Sequence, residues 1–485
     1  MKHKSITVNA FLNSVRSILN IIFPLITFPY ISRKLTVGGI GIYNFSSSII
    51  SYFLLLAGLG INTYAVREGA KYRNDKNKIT KFSSEVFTIN ICSTIISYLI
   101  LFACLILFSK LRNYILCIMI FSLQIIFTTI GTEWIYQIYE DYSFITIRSV
   151  IFQIISIILL FCFVRGPKDY LNYATITVFS SVGSNILNFI CARKYHIHLV
   201  FNFDWKKHII PILILFAVNI TTSIYVSSDI TLLGILRNNY DVGIYSISSK
   251  IYQMVKTLIS ALLIVTIPRL AMLYGNNRTK EYNIILSRLT NTLITLSLPA
   301  STGLFMLSKE VIYIVSGPHY FKAISSLRIL CFSYIFSVLA WILSDCVLIP
   351  AKREKYMLRS TTFSAIINIV FNLILIPFYS ENAAAFSTVL AEITMFIVNY
   401  HYTKDIVNTI FISKYFWRNF VSSLLGCVGI IIVCVLCNIG WQSLILKTAF
   451  SIVLSIIIYG AILVLLRNEI ALNMLSKLKI IMHKL

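Results

Sequence analysis

The sequence predicts an all-α polytopic membrane protein of about fourteen transmembrane helices: two six-helix lobes in a pseudo-two-fold arrangement, plus two C-terminal helices. Three observations lead to this fold class. Of 485 residues, 58% are hydrophobic and only 12% are charged, whereas about a quarter of the residues in soluble proteins are charged. The apolar residues are grouped in stretches of about 20, the length that crosses the hydrocarbon core of a bilayer. One stretch of the first half also returns in the second half.

The apolar stretches give the order of the elements along the chain. The predicted spans are 9–32, 42–66, 85–108, 114–132, 149–164, 170–191, 209–234, 243–267, 289–308, 324–350, 360–380, 383–402, 419–437 and 448–466. The predicted domains are an N-terminal lobe over 1–208 (helices 1–6), a C-terminal lobe over 209–402 (helices 7–12) and a segment over 403–485. That last segment holds two helices that we expect to be peripheral, because 419–437 carries no charge, and a cytoplasmic tail.

The second predicted helix is repeated by the eighth, at an offset of 202 positions. The tripeptide Gly-Ile-Tyr at 41–43 returns at 243–245, and the match continues to Arg67 with Arg269 and to Tyr72 with Tyr274. The spacing is therefore kept over a whole apolar helix and its basic exit. Parallel duplication of membrane halves is typical of transporters.

The loops set the predicted orientation of the chain. With the N-terminus inside, the inner segments carry 28 of the 42 Lys and Arg residues and the outer loops carry 10. Cytoplasmic loops are the ones that hold an excess of Lys and Arg. We therefore predict an even number of helices with both termini in the cytoplasm, and the same distribution argues against reading the net charge of +24 as a nucleic-acid surface.

Seven ionisable residues are predicted inside spans: Arg16, Asp229, Lys250, Lys256, Arg328, Asp345 and Glu392. A charged side chain at the centre of a transmembrane helix costs about 2.5–3.5 kcal/mol by insertion measurements. These side chains should therefore face the protein interior or a hydrated lumen. A structural alternative is that some are ion pairs holding the bundle together, for example Asp229 with Lys250.

Neutral polar residues follow the same helices. The residues expected to line a polar lumen are Asn13, Asn20, Asn44, Ser48 and Gln253. Lys250 takes the position that Ser48 holds in the first copy, and we expect it to face the same way as Gln253 and Lys256. Hydrogen bonding between helices is the alternative interpretation, since membrane bundles commonly use Ser and Asn in that way.

Several chemistries find no support in the sequence. There is no GxxxxGK[ST] phosphate loop, which excludes ATP hydrolysis by that route. The loops are short, the cysteines are scattered, and the histidines have no metal-ligand spacing beyond His196-x-His198. We therefore predict no catalytic residues, no metal, no cofactor and no enzymatic activity.

The stretch PLITFPYISRKLTVGGIGIYNFSSSIISYFLLLAGLGINTYAVREGAKYRND, residues 24–75, resembles the polysaccharide repeat-unit flippases of bacterial O-antigen and capsule clusters. These belong to the multidrug/oligosaccharidyl-lipid/polysaccharide exporter superfamily. The resemblance implies translocation of an undecaprenyl-diphosphate-linked oligosaccharide across the inner membrane by alternating access without ATP, alongside other polysaccharide-assembly proteins. It also implies a cationic lumen and a driving gradient of protons or sodium ions.

Under that resemblance the charges within spans acquire expected roles. The basic residues expected to contact the substrate diphosphate are Arg16, Lys250, Lys256 and Arg328. The carboxylates expected to load the coupling ion are Asp229, Asp345 and Glu392.

Three alternatives remain open from the sequence. A cation-coupled multidrug antiporter of the same superfamily would need an acidic cavity, whereas the charges within spans are four basic and three acidic. A lipid II flippase differs in sugar specificity. A membrane-bound transferase would need a clustered carboxylate or histidine site near one surface.

Overall fold

The computed structural model describes residues 23–440 and 443–482, and every regular element in those two ranges is a helix. The chain divides into two compact units, 1–243 and 244–485. The boundary falls within a helix, one span later than the predicted boundary at 208/209. The predicted division into 1–208, 209–402 and 403–485 stays a prediction.

The first unit contains eleven helices in its described part and the first residues of a twelfth. They are α1 (23–34), α2 (Val37–Gly58), α3 (Ile61–Gly69), α4 (Lys76–Leu107), α5 (Ser109–Arg112), α6 (Ile115–Gly131), α7 (Glu133–Ile138), α8 (Tyr142–Phe163), α9 (Tyr170–Val182), α10 (Asn185–Ala192), α11 (Trp205–Leu236) and α12 (Asn239–Gly275).

Two local signals set the ends of helices near the predicted inner side of this unit. Leu59 and Gly60 both adopt left-handed backbone angles, with φ of 44° and 77°. They separate α2 from α3 inside the single predicted span 42–66. Asp75 then starts α4 by accepting the backbone N–H groups of Asn77 and Lys78 at 3.1 Å, as an N-cap residue does. Those bonds, with the Lys78 ammonium, lower the pKa of Asp75.

The second unit continues α12 and adds seven α-helices in its described part. They are α13 (Thr279–Met306), α14 (Ser308–Ser316), α15 (Ala323–Trp341), α16 (Glu354–Phe411), α17 (Lys414–Gly440), α18 (Leu444–Leu465) and α19 (Glu469–Met482). A π-helical turn over Ile342–Leu348 follows α15 directly. Helix α16 is broken at Ser380, where φ is 49°, so it supplies two of the predicted spans.

The predicted spans from 42–66 onward all overlap helices of the structure. Within the described residues, nine helices are long and apolar enough to cross a membrane, and ten if the bent pair α13–α14 counts as one span. The all-helical membrane fold is therefore confirmed. The number of fourteen crossings stays a prediction.

The repeated residues make equivalent contacts in the two units. In the first unit the Tyr43 hydroxyl donates to Thr177 Oγ1 at 3.2 Å. In the second unit Tyr245 is joined to Thr388 at the same distance. The segments that follow the repeated helices also make similar aromatic contacts. Tyr72 packs on Phe82 with ring centroids 5.6 Å apart, and Tyr274 packs on Tyr282 with ring centroids 5.1 Å apart. These matched contacts support the predicted duplication.

The first glycine of the repeat is required by a close backbone approach within the first unit. A Cβ atom at Gly41 would lie 1.8 Å from the carbonyl oxygen of Asn239, whereas a Cβ atom at Gly38 would have nothing within 4 Å. We expect Gly41→Ala to lower the unfolding free energy by at least about 1–3 kcal/mol, because a backbone carbonyl cannot turn aside as a side chain can. Thermal unfolding of the purified protein in detergent measures the change.

Gly38→Ala is the matched control for this prediction. It lies on the same helix, and we expect it to be neutral or slightly stabilising, because alanine favours helix over glycine. Equal melting temperatures for the two variants would contradict the close approach.

The predicted orientation can be tested at two exposed lysines. In a cysteine-free background, we expect a membrane-impermeant maleimide to label Lys168→Cys in intact cells and to label Lys78→Cys only after lysis. The reason is the charge bias, which places the 67–84 loop in the cytoplasm. Labelling of Lys78→Cys from outside would overturn the predicted topology.

Candidate functional site

An ion pair between two helices lies at the centre of the candidate site in the second unit. Lys256 of α12 places its Nζ atom 3.0 Å from Glu392 Oε1 of α16. The side chains are only 18% and 5% exposed. The carboxylate thus balances the ammonium charge within this unit.

Two aromatic rings lie next to the ion pair, and one of them belongs to a third helix, α15. The Lys256 ammonium lies 5.6 Å from the centroid of the Trp341 ring and 5.9 Å from that of Tyr252, within the range of cation–π attraction. The Trp341 Nε1–H group donates to Asp345 Oδ2 at 2.7 Å. We call these five residues the Lys256 cluster: Lys256, Glu392, Trp341, Tyr252 and Asp345.

The backbone around the Lys256 cluster is held by polar side chains of α16. Asn399, seven residues after Glu392 and so on the same helix face, donates to the Ala340 carbonyl at 3.1 Å and to Ser344 Oγ at 2.8 Å. These bonds fix α16 against the end of α15 and the π-helical turn. Single π-type turns inside helices are found frequently at functional sites.

Lys250 lies on a different face of α12 from Lys256, and Gln253 lies between them, three residues from each. Lys250 and Gln253 are exposed, and among the described residues no hydrogen bond or ion pair reaches Lys250. Six residues turn a helix through about 600°, so the side chains of Lys250 and Lys256 point roughly 120° apart. The expectation that the two lysines face the same way is therefore wrong.

Arg328 is separate from the Lys256 cluster. It precedes Trp341 by thirteen residues on α15, about 20 Å along the helix axis. Its Nε–H group donates to Ser308 Oγ at 2.9 Å, and its guanidinium lies 5.5 Å from the centroid of the Phe305 ring. It borders a cavity of about 540 Å³ that Lys322 also lines.

The polar face of α2 is used mainly for helix pairing in the first unit. Thr231 of α11 donates to Ser48 Oγ at 3.1 Å, and Ser48 is buried. Asn44 donates to the Ile40 carbonyl of its own helix at 2.9 Å. Asp229 is buried on α11, two residues before Thr231. For Ser48 the structure therefore supports hydrogen bonding between helices.

Three of the predicted site residues, Arg16, Asn13 and Asn20, lie outside the described residues. Within those that are described, no group of three or more His, Cys, Asp or Glu side chains is arranged to hold a metal ion.

Sequence reasoning did not find one buried polar group in the first unit. His208 of α11 places Nε2 3.0 Å from Glu85 Oε2 and Nδ1 2.9 Å from the Tyr64 hydroxyl. Glu85 and Tyr64 lie 123 and 144 positions from His208 in the sequence, so only tertiary packing joins them. The sequence did contain one signal for this group: Glu85 is an acidic residue at the start of the predicted span 85–108, and a buried carboxylate there needs a partner.

Comparison with known proteins adds two family matches and two relatives. A family model described as "Polysaccharide biosynthesis protein" matches residues 6–274, and one described as MatE matches residues 215–374. A "Putative O-antigen transporter" of Escherichia coli (strain K12) is 23% identical over 319 residues, covering 64% of this chain and 75% of the relative. One of Shigella dysenteriae is 22% identical over 380 residues, covering 77% and 94%.

Solved structures show the same fold. "Lipid II flippase MurJ, inward closed conformation" aligns with a TM-score of 0.77 at 15% identity, covering 95% of this chain and all of that one. An inward-facing multidrug resistance MATE family transporter of the MOP superfamily aligns with a TM-score of 0.60 at 14% identity, covering 80% and 98%.

Proposed function

Because this chain belongs to the family of polysaccharide biosynthesis proteins, we propose that it is a flippase for undecaprenyl-diphosphate-linked oligosaccharide repeat units of an O-antigen or capsule. It moves them from the cytoplasmic to the periplasmic leaflet of the bacterial inner membrane by alternating access, as a transporter and not as an enzyme. The family match over more than half of the chain carries this conclusion, and the two putative O-antigen transporters support it.

The substrate diphosphate needs cationic partners inside the protein. Lys250 suits this role best, because the residue is exposed and no carboxylate of the described residues balances its ammonium. An ammonium makes charge-assisted hydrogen bonds to phosphate oxygens. Arg16 and Arg328 are the further cations of the proposed path.

Lys256 takes part through an exchange of partners. A diphosphate oxygen approaching Lys256 competes with Glu392 for the ammonium, and the carboxylate that is released then takes up a proton or a sodium ion. The exchange keeps the buried charges compensated, which matters because a buried charge without a partner costs about 3–5 kcal/mol. The other carboxylates proposed for ion coupling are Asp345, which is bonded to Trp341 within the Lys256 cluster, and Asp229.

Deleting the gene in its own bacterium tests the proposed function. We expect surface polysaccharide to be lost and lipid-linked repeat units to accumulate on the cytoplasmic side, with both restored by a plasmid copy. Normal surface polysaccharide in the deletion strain, with no second flippase gene to account for it, would contradict the proposal.

A further inference from the structure

Three titratable side chains from three helices form a hydrogen-bonded row in the first unit. Tyr64 lies on α3, Glu85 on α4 and His208 on α11, with the imidazole between the carboxylate and the phenol. All three residues are buried, and His208 is only 2% exposed. Nothing in the exchange at Lys256 uses them.

The surroundings of the row are mostly apolar. The rings of Phe82 and Phe203 lie 5.9 and 6.0 Å from the imidazole. The other charged and titratable groups that act electrostatically on Tyr64 or His208 are Asp204 and Lys207 at the start of α11, and Arg67, Glu68 and Tyr72 on and just after α3. A carboxylate in such a setting is stabilised mainly by the imidazole that contacts it.

The hydrogen bonds of the row depend on the protonation state of the imidazole. When His208 is neutral, its Nε2–H group donates to Glu85, and Nδ1 accepts the Tyr64 hydroxyl hydrogen. When His208 binds a second proton, both ring nitrogens donate, so the Tyr64 hydroxyl must turn its hydrogen away and accept instead. One proton therefore reverses the contact between α3 and α11 and neutralises the charge of the row.

We propose that Glu85 and His208 form a proton-binding site in the first unit, and that Tyr64 transmits its occupancy to α3. The proton is the ligand, and the buried carboxylate–imidazole pair is the acceptor. Histidine ordinarily changes charge between roughly pH 5 and pH 8, so a proton gradient across a bacterial membrane can load and unload such a pair.

The position of the row connects proton binding to the packing of helices α2, α3 and α11. Helix α3 follows α2 directly at Leu59 and Gly60, and α2 is bonded to α11 through Ser48 and Thr231. Reversing the Tyr64 hydrogen bond changes the contact at one end of this helix pair. The coupling of proton binding to transport rests on the proposed flippase function, whereas proton binding itself does not.

Infrared difference spectroscopy tests proton binding without transport. The full-length protein, with isotope-labelled histidine, is titrated in a lipid film between about pH 8 and pH 5, and the His208 band is identified by its loss in His208→Gln. We expect Glu85→Gln to move the midpoint of that band down by at least one pH unit, a tenfold change, because the imidazolium loses its carboxylate. We expect Tyr64→Phe, which keeps the aromatic ring and removes only the hydroxyl, to shift the same midpoint.

The control for this titration is His401→Gln, which removes an exposed histidine and should leave the His208 band unchanged. An unchanged His208 midpoint in Glu85→Gln, or no titration of His208 in this range, would overturn the proton site and leave a structural contact.

Coupling is then measured in proteoliposomes that hold a pH-sensitive dye and the lipid-linked oligosaccharide. We expect His208→Gln and Glu85→Gln to reduce substrate-dependent proton movement at least tenfold, and His401→Gln to leave it unchanged. Translocation by the wild type without proton movement would overturn the coupling and keep the flippase function. A site that titrates in a protein that moves no oligosaccharide would instead overturn the flippase function.

Discussion

Replacing Lys250 by alanine should abolish surface polysaccharide, or reduce it more than tenfold, at normal protein levels. Lys250 is exposed and its ammonium has no carboxylate partner among the described residues, so its charge is available to a diphosphate. Lys250→Arg should retain part of the display, because a guanidinium also donates to phosphate oxygens but with a different geometry. Immunoblots of the polysaccharide and of the tagged protein measure the two quantities together.

The matched control for Lys250→Ala is Lys280→Ala, another exposed lysine, which lies in the first turn of α13. It should display polysaccharide at the wild-type level. Full display by both Lys250→Ala and Lys256→Ala at matched expression would show that the cationic path is wrong.

A double-mutant cycle on Lys256 and Glu392 should separate stability from transport. Either single change, Lys256→Met or Glu392→Leu, leaves a buried charge unpaired, and we expect a loss of about 3–5 kcal/mol of unfolding free energy. The double variant should regain most of that stability, because buried ion pairs can be replaced by apolar side chains at little cost. It should still fail to move substrate, since neither the ammonium nor the carboxylate remains.

Arg278→Ala is the control for this cycle. Arg278 pairs with Glu281, and both side chains are about half exposed, so its loss should change the unfolding free energy by only about 0–1 kcal/mol. A double variant that is both stable and active would show that the pair is structural only.

The repeat could be predicted from sequence because it preserves residue types at a fixed offset. Tyr43 and Tyr245 are identical and polar in an apolar setting, and each reaches a threonine in its own unit. The helix break at Leu59–Gly60 was not predicted, because the apolar pattern continues through it. The break at Ser380 falls at the predicted boundary between the spans 360–380 and 383–402.

The candidate site was only partly predictable. The charges themselves are visible in the sequence, but their partners are not, because Lys256 and Glu392 are 136 positions apart and belong to helices whose neighbours are set by tertiary packing. Helical periodicity alone could have corrected the prediction that Lys250 and Lys256 face the same way, since a spacing of six residues cannot place them on one face. His208 was not predicted to belong to a buried polar group, because its contacts with Glu85 and Tyr64 have no local sequence pattern.

The most direct test of the flippase function is translocation by the purified protein alone. Proteoliposomes are loaded symmetrically with lipid-linked oligosaccharide from the source bacterium and placed under a pH gradient, and a membrane-impermeant glycosidase reports the sugars in the outer leaflet. We expect the cleaved share to rise from about half in empty liposomes towards completion with the wild-type protein, while lipid II in parallel liposomes stays at about half. Equal cleavage with and without the protein, or movement of lipid II in place of the oligosaccharide, would contradict the proposed function.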